Sequence, residues 1–231
     1  MTDPKRERLE GIAESLRARF GDHAVIHKPS GTHLPPALST GFPRLDRLLG
    51  AGGVPCGGIS LFEGIPTSGA TTLALRTLAG AAGSPLAYFD LSCTFDPDYA
   101  ARCGVDVPNL LVVRPPDLPI ALEAFVSLAE ALRAAVFDLI LLPPLPTPER
   151  ALWRRLVHTV SRSSGALILL ESGNAPFVRD DAGLWLRVRH GHWLRRRQEV
   201  RGLRAEVEII RDPFGAPGKR VGLTLGGMGW G

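Results

Sequence analysis

The sequence predicts an α/β domain, a mostly parallel twisted sheet with helices on both faces and antiparallel strands at its C-terminal end. Three observations predict it. From about Ser39 onward, apolar runs of strand length (GISLFE, LAYFD, NLLVV, ALILLE) alternate with longer segments of helical spacing. A glycine-rich turn, GIPTSGATT from Gly64 to Thr72, separates the first of these strands from the first helix of the domain. After Gly173 the pattern becomes short alternating segments, LWLRVR, EVEIIR and VGLTL, divided by Gly and Pro turns as antiparallel strands require.

Taken in order, residues 4–20 have the spacing of a short amphipathic helix, with Pro4 suited to the first turn and Leu9, Ile12, Leu16 and Phe20 on one stripe. Residues 1–27 thus form an N-terminal arm, 28–38 a Pro/Gly-rich linker, and 39–231 the core. A helix of about 17 residues is marginal alone in water, so the stripe either folds back on its own domain or docks on a partner. Within the core, TTLALRTLAGAA reads as a helix. PIALEAFVSLAEALRAA reads as another, with Ile120, Ala124, Phe125, Leu128 and Leu132 inward, followed by DLILL as a buried strand ending at Pro143. The next helix is capped by Thr147 with Pro148 in its first turn, and its inward stripe is Trp153, Leu156, Val157 and Val160.

The chain has 231 residues, 45% of them hydrophobic, enough for one core-bearing domain with short appendages. No apolar run has the length of a membrane span, and the N-terminal MTDPKRERLE has no signal-peptide core, so a cytoplasmic protein is expected. Cys56, Cys93 and Cys103 form no C-x-x-C pair, which suits reduced thiols, with Cys93 expected in the core. No metal site is expected either, since His190 and His192 lack a third ligand. The net charge of +4 is uneven. Arg187, Arg189, Arg195, Arg196, Arg197, Arg201 and Arg204 stand against the single acid Glu199, so this stretch carries +6 and the remainder −2. Such a stripe suits a phosphate backbone or an acidic protein surface, or is simply a solvated sheet edge.

The Gly64 turn has the spacing of a phosphate-binding loop, G-x-x-x-x-G-K-[ST], with Gly64, Gly69 and Thr71 in place. The lysine is replaced by Ala70, and Thr72 follows Thr71. In a working loop, backbone N–H groups at a helix N-terminus hold phosphate, the lysine neutralises it, and the hydroxyl holds magnesium. Ala70 removes the cation, and Pro66 removes one backbone donor. The geometry of the loop is expected to survive and its chemistry is not, so no cofactor is expected.

The segment LSTGFPRLDRLLGAGGVPCGGISLFEGIPTSGATTLALRTLA resembles the start of the RecA recombinase core. YFD, then FDPDYAARCGVDVPNLLVV, LRARFGDHAVIH near the N-terminus and EIIRDPFGAPGKRVGLTLGGMG at the other end are similar to further stretches of that family. The resemblance covers nearly the whole chain and implies a RecA-like phosphate-loop core. It also implies where the catalytic parts should stand: a water-activating glutamate at Ser92, a magnesium aspartate at Pro143, and an Asn–Gln pair at Glu171 and Ser172. With Ala70, four parts of the hydrolytic machinery are expected to be missing, so no ATPase activity is expected. Asp96 and Tyr99 match family contacts to the adenine ring, although Asp96 also suits a turn with Pro97 and Tyr99 a packing role.

The two DNA-binding loops of the family have only short counterparts here, and no C-terminal domain is expected before Gly231. Any DNA binding is expected to be weak and non-specific, through the arginine stripe. The profile is similar to that of ImuA-type proteins, shortened RecA homologues of damage-induced mutagenesis and translesion synthesis. The resemblance implies a non-catalytic accessory acting by contact with RecA, a Y-family-like polymerase partner, or a second copy of itself. The alternatives are a SulA-like inhibitor of cell division and a regulatory nucleotide binder.

Overall fold

The central strands alternate between two apolar faces, and this alternation builds the sheet. The computed structural model describes Ser15, residues 34–196 and residues 199–226. The chain divides into two compact units, residues 1–33 and 34–231. Of the first, only Ser15 is described, and it is helical. The expected arm with Leu9, Ile12, Leu16 and Phe20 lies outside the described residues.

In the second unit a two-stranded antiparallel pair, β1 (Ala37–Leu38) with β2 (Val54–Pro55), precedes the main sheet. The expected linker therefore ends earlier than residue 38, because Leu38 is buried in the core. The main sheet contains β3 (Ile59–Glu63), β4 (Leu86–Asp90), β5 (Leu110–Val113), β6 (Ala134–Asp138), β7 (Ala166–Glu171), β8 (Ala182–Arg196), β9 (Glu199–Arg211) and β10 (Arg220–Leu225). Its spatial order is β10–β9–β8–β3–β7–β6–β4–β5. All pairings from β8 to β5 are parallel, and β8–β9–β10 are antiparallel.

The helices are α1 (Pro43–Asp46), α2 (Ala70–Ala79), α3 (Pro97–Arg102), α4 (Leu118–Leu128), α5 (Arg150–Arg162) and α6 (Val178–Asp181). One face of the sheet gives Phe62, Tyr88, Val136 and Ile168 to a core shared with Leu73 and Leu78 of α2. The opposite face gives Leu61, Phe89, Phe137 and Leu169 to a core shared with Phe125 of α4 and Leu156 and Val160 of α5. Phe89 and Phe137 stack with ring centroids 4.3 Å apart. Truncating either to alanine would cost about 3–5 kcal/mol, as for other buried aromatics.

The strand after α4 differs from expectation. It is Ala134–Asp138, not DLILL, and α4 stops at Leu128 instead of running on through Ala135. Residues 134–142 are apolar except for Asp138, so their composition does not fix which five enter the ladder. Pro143 and Pro144 lack the N–H that a central strand must donate, so the strand cannot extend into them. The buried stripe of α4 is Leu118, Ala121, Leu122 and Phe125, and Ile120 is exposed. The next helix starts at Arg150, later than Thr147, with Leu156 and Val160 buried and Trp153 and Val157 packed beside them.

Candidate functional site at the phosphate loop

β3 delivers the chain into the loop at Gly64, and α2 begins at Ala70, so strand, turn and helix stand in the predicted order. Gly69 turns the chain with φ of +98°, and Thr67 also adopts a left-handed φ of +67°. That conformation is strained for a β-branched residue and persists only when its surroundings impose it. Ser68 N–H donates to the Ile65 carbonyl at 3.0 Å, and Ala70 N–H donates to the buried Ser68 Oγ at 3.4 Å. At the lysine position, Ala70 is 1% exposed and its methyl group belongs to the core. A Cβ at Gly69 would collide with Leu225 Cδ1, so a β10 side chain lies against the turning point of the loop.

Two adjoining cavities flank the loop, of about 420 Å³ and 290 Å³, and share Pro66, Thr67, Thr71, Tyr99 and Ile140. The first is walled by the β8–β9 hairpin through Trp193, Val200 and Arg201 and by Leu225 of β10. The second reaches Tyr88, Asp96 and Asp138. Tyr99 stands between them, its hydroxyl 2.7 Å from Thr72 Oγ1, and its burial pushes the phenol pKa up. Asp96 and Tyr99, the expected adenine contacts, both line the second cavity. Asp96 also caps α3, its carboxylate accepting from Tyr99 N–H at 2.9 Å.

Each of the four central parallel strands ends in an acid: Glu63, Asp90, Asp138 and Glu171. Glu63 accepts from Arg187 at 2.8 Å and from the Trp185 indole at 2.9 Å. Glu171 is fully buried and accepts from Arg179 at 3.1 Å and from the Gly173 N–H at 2.5 Å. Asp90 is likewise fully buried and bonded by Thr94 and Phe95 N–H and by Arg114. Asp138 accepts from the Tyr88 hydroxyl at 2.6 Å and from Ile140 N–H at 3.2 Å. Burial pushes the Asp138 carboxyl above the usual carboxylate range, against the Tyr88 hydrogen bond, and burial likewise raises Tyr88.

This arrangement corrects one expected loss. The resemblance implies Pro143 at the end of the magnesium-facing strand, but the strand ends at Asp138 and Pro143 is an exposed loop residue. An acid is present there, and it lines the same cavity as Thr71. The other expected positions are placed as follows. Ser92 pairs with Thr94 at 3.0 Å and lines neither cavity. Glu171 is held in the Arg179 network, and Ser172 Oγ donates to the Ile140 carbonyl at 2.8 Å. Cys93, expected in the core, is exposed with φ of +55°, whereas Cys56 and Cys103 are buried.

The arginines do not form one stripe. Arg187 pairs with Glu63, Arg189 with Glu208 at 3.1 Å and Arg201 with Glu199 at 2.5 Å. Arg195 and Arg204 are exposed, while Arg197 and the side chain of Arg196 lie outside the described residues. Sequence reasoning missed three features: the Arg179 network, the hairpin wall at Trp193, and Asp138. The third had a signal. GISLFE, LAYFD, AAVFD and ALILLE all end in an acid, a repeat that points towards AAVFD without fixing its register. Among the described residues no group of three or more His, Cys, Asp or Glu could hold a metal, and no helix is long and apolar enough to cross a membrane.

A parallel sheet carrying a glycine loop onto a helix N-terminus, extended by an antiparallel hairpin, defines an α/β phosphate-loop protein of recombinase-core type. A crystal structure of the RadB recombinase is similar in fold, with a TM-score of 0.62 at 18% identity, covering 81% of this chain and 95% of that one. Residues 8–145 match the RecA N-terminal domain family, and the chain belongs to that family. It is 36% identical over 146 residues to Protein RecA of Streptomyces venezuelae, across 62% of this chain and 38% of that protein. Protein RecA of Leptospira biflexa is 27% identical over 267 residues, across 97% of this chain and 67% of that protein. The chain spans about two fifths of the length of the Streptomyces venezuelae and Acinetobacter baylyi relatives.

Nucleotide with magnesium is the ligand this fold implies, and the residues fit it only on one side. Thr71 and Asp138 suit a cation, but Ala70, Pro66 and the Leu225 side chain leave the phosphate side of the loop without its cation, short of a donor, and partly covered.

Proposed function

We propose that this chain is a non-hydrolysing accessory member of the RecA family, of ImuA type, acting in the DNA damage response and translesion synthesis. It works through protein contacts with RecA, a Y-family-like polymerase complex, or both. The observation that carries this reading is Ala70, a core methyl at the lysine position of an otherwise preserved loop. Losing a charge-assisted contact to phosphate costs roughly 1.5–3 kcal/mol, tenfold to more than a hundredfold in affinity. Phosphoryl transfer needs charge neutralisation, base and metal together, and Ser92 stands away from the cavities at the base position.

The test pairs two measurements. Magnesium-dependent phosphate release from ATP is expected to be absent in the intact chain, and turnover above background would sink the reading. Co-purification with RecA is expected to be lost on deleting residues 1–27, or with Leu16→Asp and Phe20→Asp, while the core stays folded by circular dichroism. The retained Asp138, which lines the same cavity as Thr71, favours a second reading, a subunit that responds to nucleotide without hydrolysing it. Calorimetric titration giving micromolar affinity for MgATP would promote it.

A further inference from the structure

We propose that the mouth of the two loop cavities is a docking pocket for a protein segment bearing one large apolar side chain flanked by acidic residues. This deepens the reading of the chain as acting through protein contacts, and rests on it.

Four of the seven large hydrophobics exposed among the described residues ring this mouth: Ile65 at 62%, Leu141 at 53%, Val200 at 55% and Trp193 at 45%. Apolar residues scattered singly over a surface need no explanation, but clustered around a concavity they mark an interaction site. They come from three separate parts of the chain, the loop, the turn after β6 and the β8–β9 hairpin, so the clustering is tertiary. The floor is apolar as well, with Ile140, Leu203 and Leu225. A volume of about 420 Å³ lies within the roughly 300–1,000 Å³ of binding pockets that are mostly apolar with a few polar groups.

Charge selects the flanks of the occupant. From His192 to Arg204 the hairpin sequence carries five arginines against Glu199 alone. Among those described, Arg195 and Arg204 are exposed, and Arg201, paired with Glu199, lines the cavity itself. A segment reaching the mouth therefore gains from acidic residues on the hairpin side of its anchor, away from Asp96 and Asp138 of the second cavity. The apolar rim and floor separate this occupant from a nucleic acid, whose backbone asks for cations and donors instead. They separate it from a triphosphate for the same reason, because the loop presents a methyl at Ala70 and the Leu225 side chain lies against Gly69.

The test uses the full-length protein and a random-peptide library displayed on phage, followed by fluorescence anisotropy of the selected peptides. Selected sequences should carry Leu, Phe or Trp flanked by Asp or Glu. Their affinity should fall at least about tenfold in Ile65→Asp and Val200→Asp, as for loss of a central apolar contact, and several-fold in Arg201→Glu with weaker salt dependence. Ile65→Ser and Val200→Ser give the same comparison if the aspartates disturb folding by circular dichroism. Leu111→Asp, exposed on β5 away from the mouth, should leave binding unchanged.

Peptides without acidic flanks, or binding intact in both Ile65 and Val200 variants, would overturn the proposal. So would displacement of the peptide by millimolar MgATP, which would return the cavities to nucleotide. Displacement by single-stranded oligothymidylate, itself lost in the same variants, would assign the mouth to nucleic acid instead. The parent reading fails separately, by magnesium-dependent hydrolysis in the intact chain, whatever the peptides do.

Discussion

Glu171 and Asp138 end neighbouring strands of one sheet, and their surroundings are opposite. Glu171 is fully buried, bound by the Arg179 guanidinium and backbone N–H groups, and Arg179 also reaches Glu63 at 3.5 Å. Arg179, Arg187 and Arg211 all lie within 5.8 Å of the Trp185 ring centroid, so carboxylates, guanidiniums and indole form one network at the C-terminal ends of β3 and β7, beside β8. Asp138 has a phenol and one backbone N–H, and lines a cavity. Acids at the ends of parallel strands are thus used in two ways here: Glu63, Asp90 and Glu171 as structural locks, each bound by an arginine, and Asp138 as a cavity wall. The segment after Glu171 is bound accordingly: Asn174 donates to the carbonyls of Leu139 at 2.6 Å and Leu142 at 3.0 Å.

The contrast is broken most directly at its locked side. Arg179→Ala leaves the buried Glu171 without its cation and should destabilise the fold by about 3–5 kcal/mol in urea unfolding, as for other broken buried pairs. A loss below 1 kcal/mol would mean that the backbone donors alone hold Glu171. On the cavity side, Tyr88→Phe removes one hydrogen bond from Asp138 and should cost only about 1 kcal/mol by the same measurement.

Ala70→Lys restores the cation of the loop and should tighten MgATP binding by roughly tenfold to a hundredfold in calorimetry. Hydrolysis should remain absent, because Ser92 still occupies the base position. If the single change brings turnover, the remaining parts of the site are competent and the non-hydrolysing reading is wrong.

A smaller effect concerns pH. Burial holds the folded Asp138 carboxyl above its unfolded value. Below the ordinary aspartate pKa both states are protonated and no slope arises. Above it the unfolded chain releases its proton first, so folded stability falls as pH rises until the folded carboxyl also ionises. Asp138→Asn should flatten this part of the profile in thermal melts run from acid to neutral pH, and an unchanged slope would place the titration elsewhere. The smallest effect is expected at the hairpin, where replacing Arg195, Arg196 and Arg197 by alanine should reduce the salt slope of weak DNA binding by up to about 3. Binding that survives high salt unchanged would exclude backbone contacts by these arginines.

The sequence by itself determined the strands GISLFE, LAYFD, NLLVV and ALILLE, the loop between β3 and α2, the antiparallel end of the sheet, and Ala70 at the lysine position. Each of these is written locally, as an apolar run of strand length, a glycine spacing or a single side chain. Only the tertiary structure decided that β6 is AAVFD and ends in Asp138. An apolar run interrupted only by Asp138 carries no period, and its register is chosen by pairing with β4 and β7, where Asp138 lies opposite Asp90 and Leu170. The fate of the arginines was decided in the same way. Arg187 is one of a run of like charges until the fold brings it to Glu63, 124 residues away along the chain, and no local pattern specifies a partner at that distance.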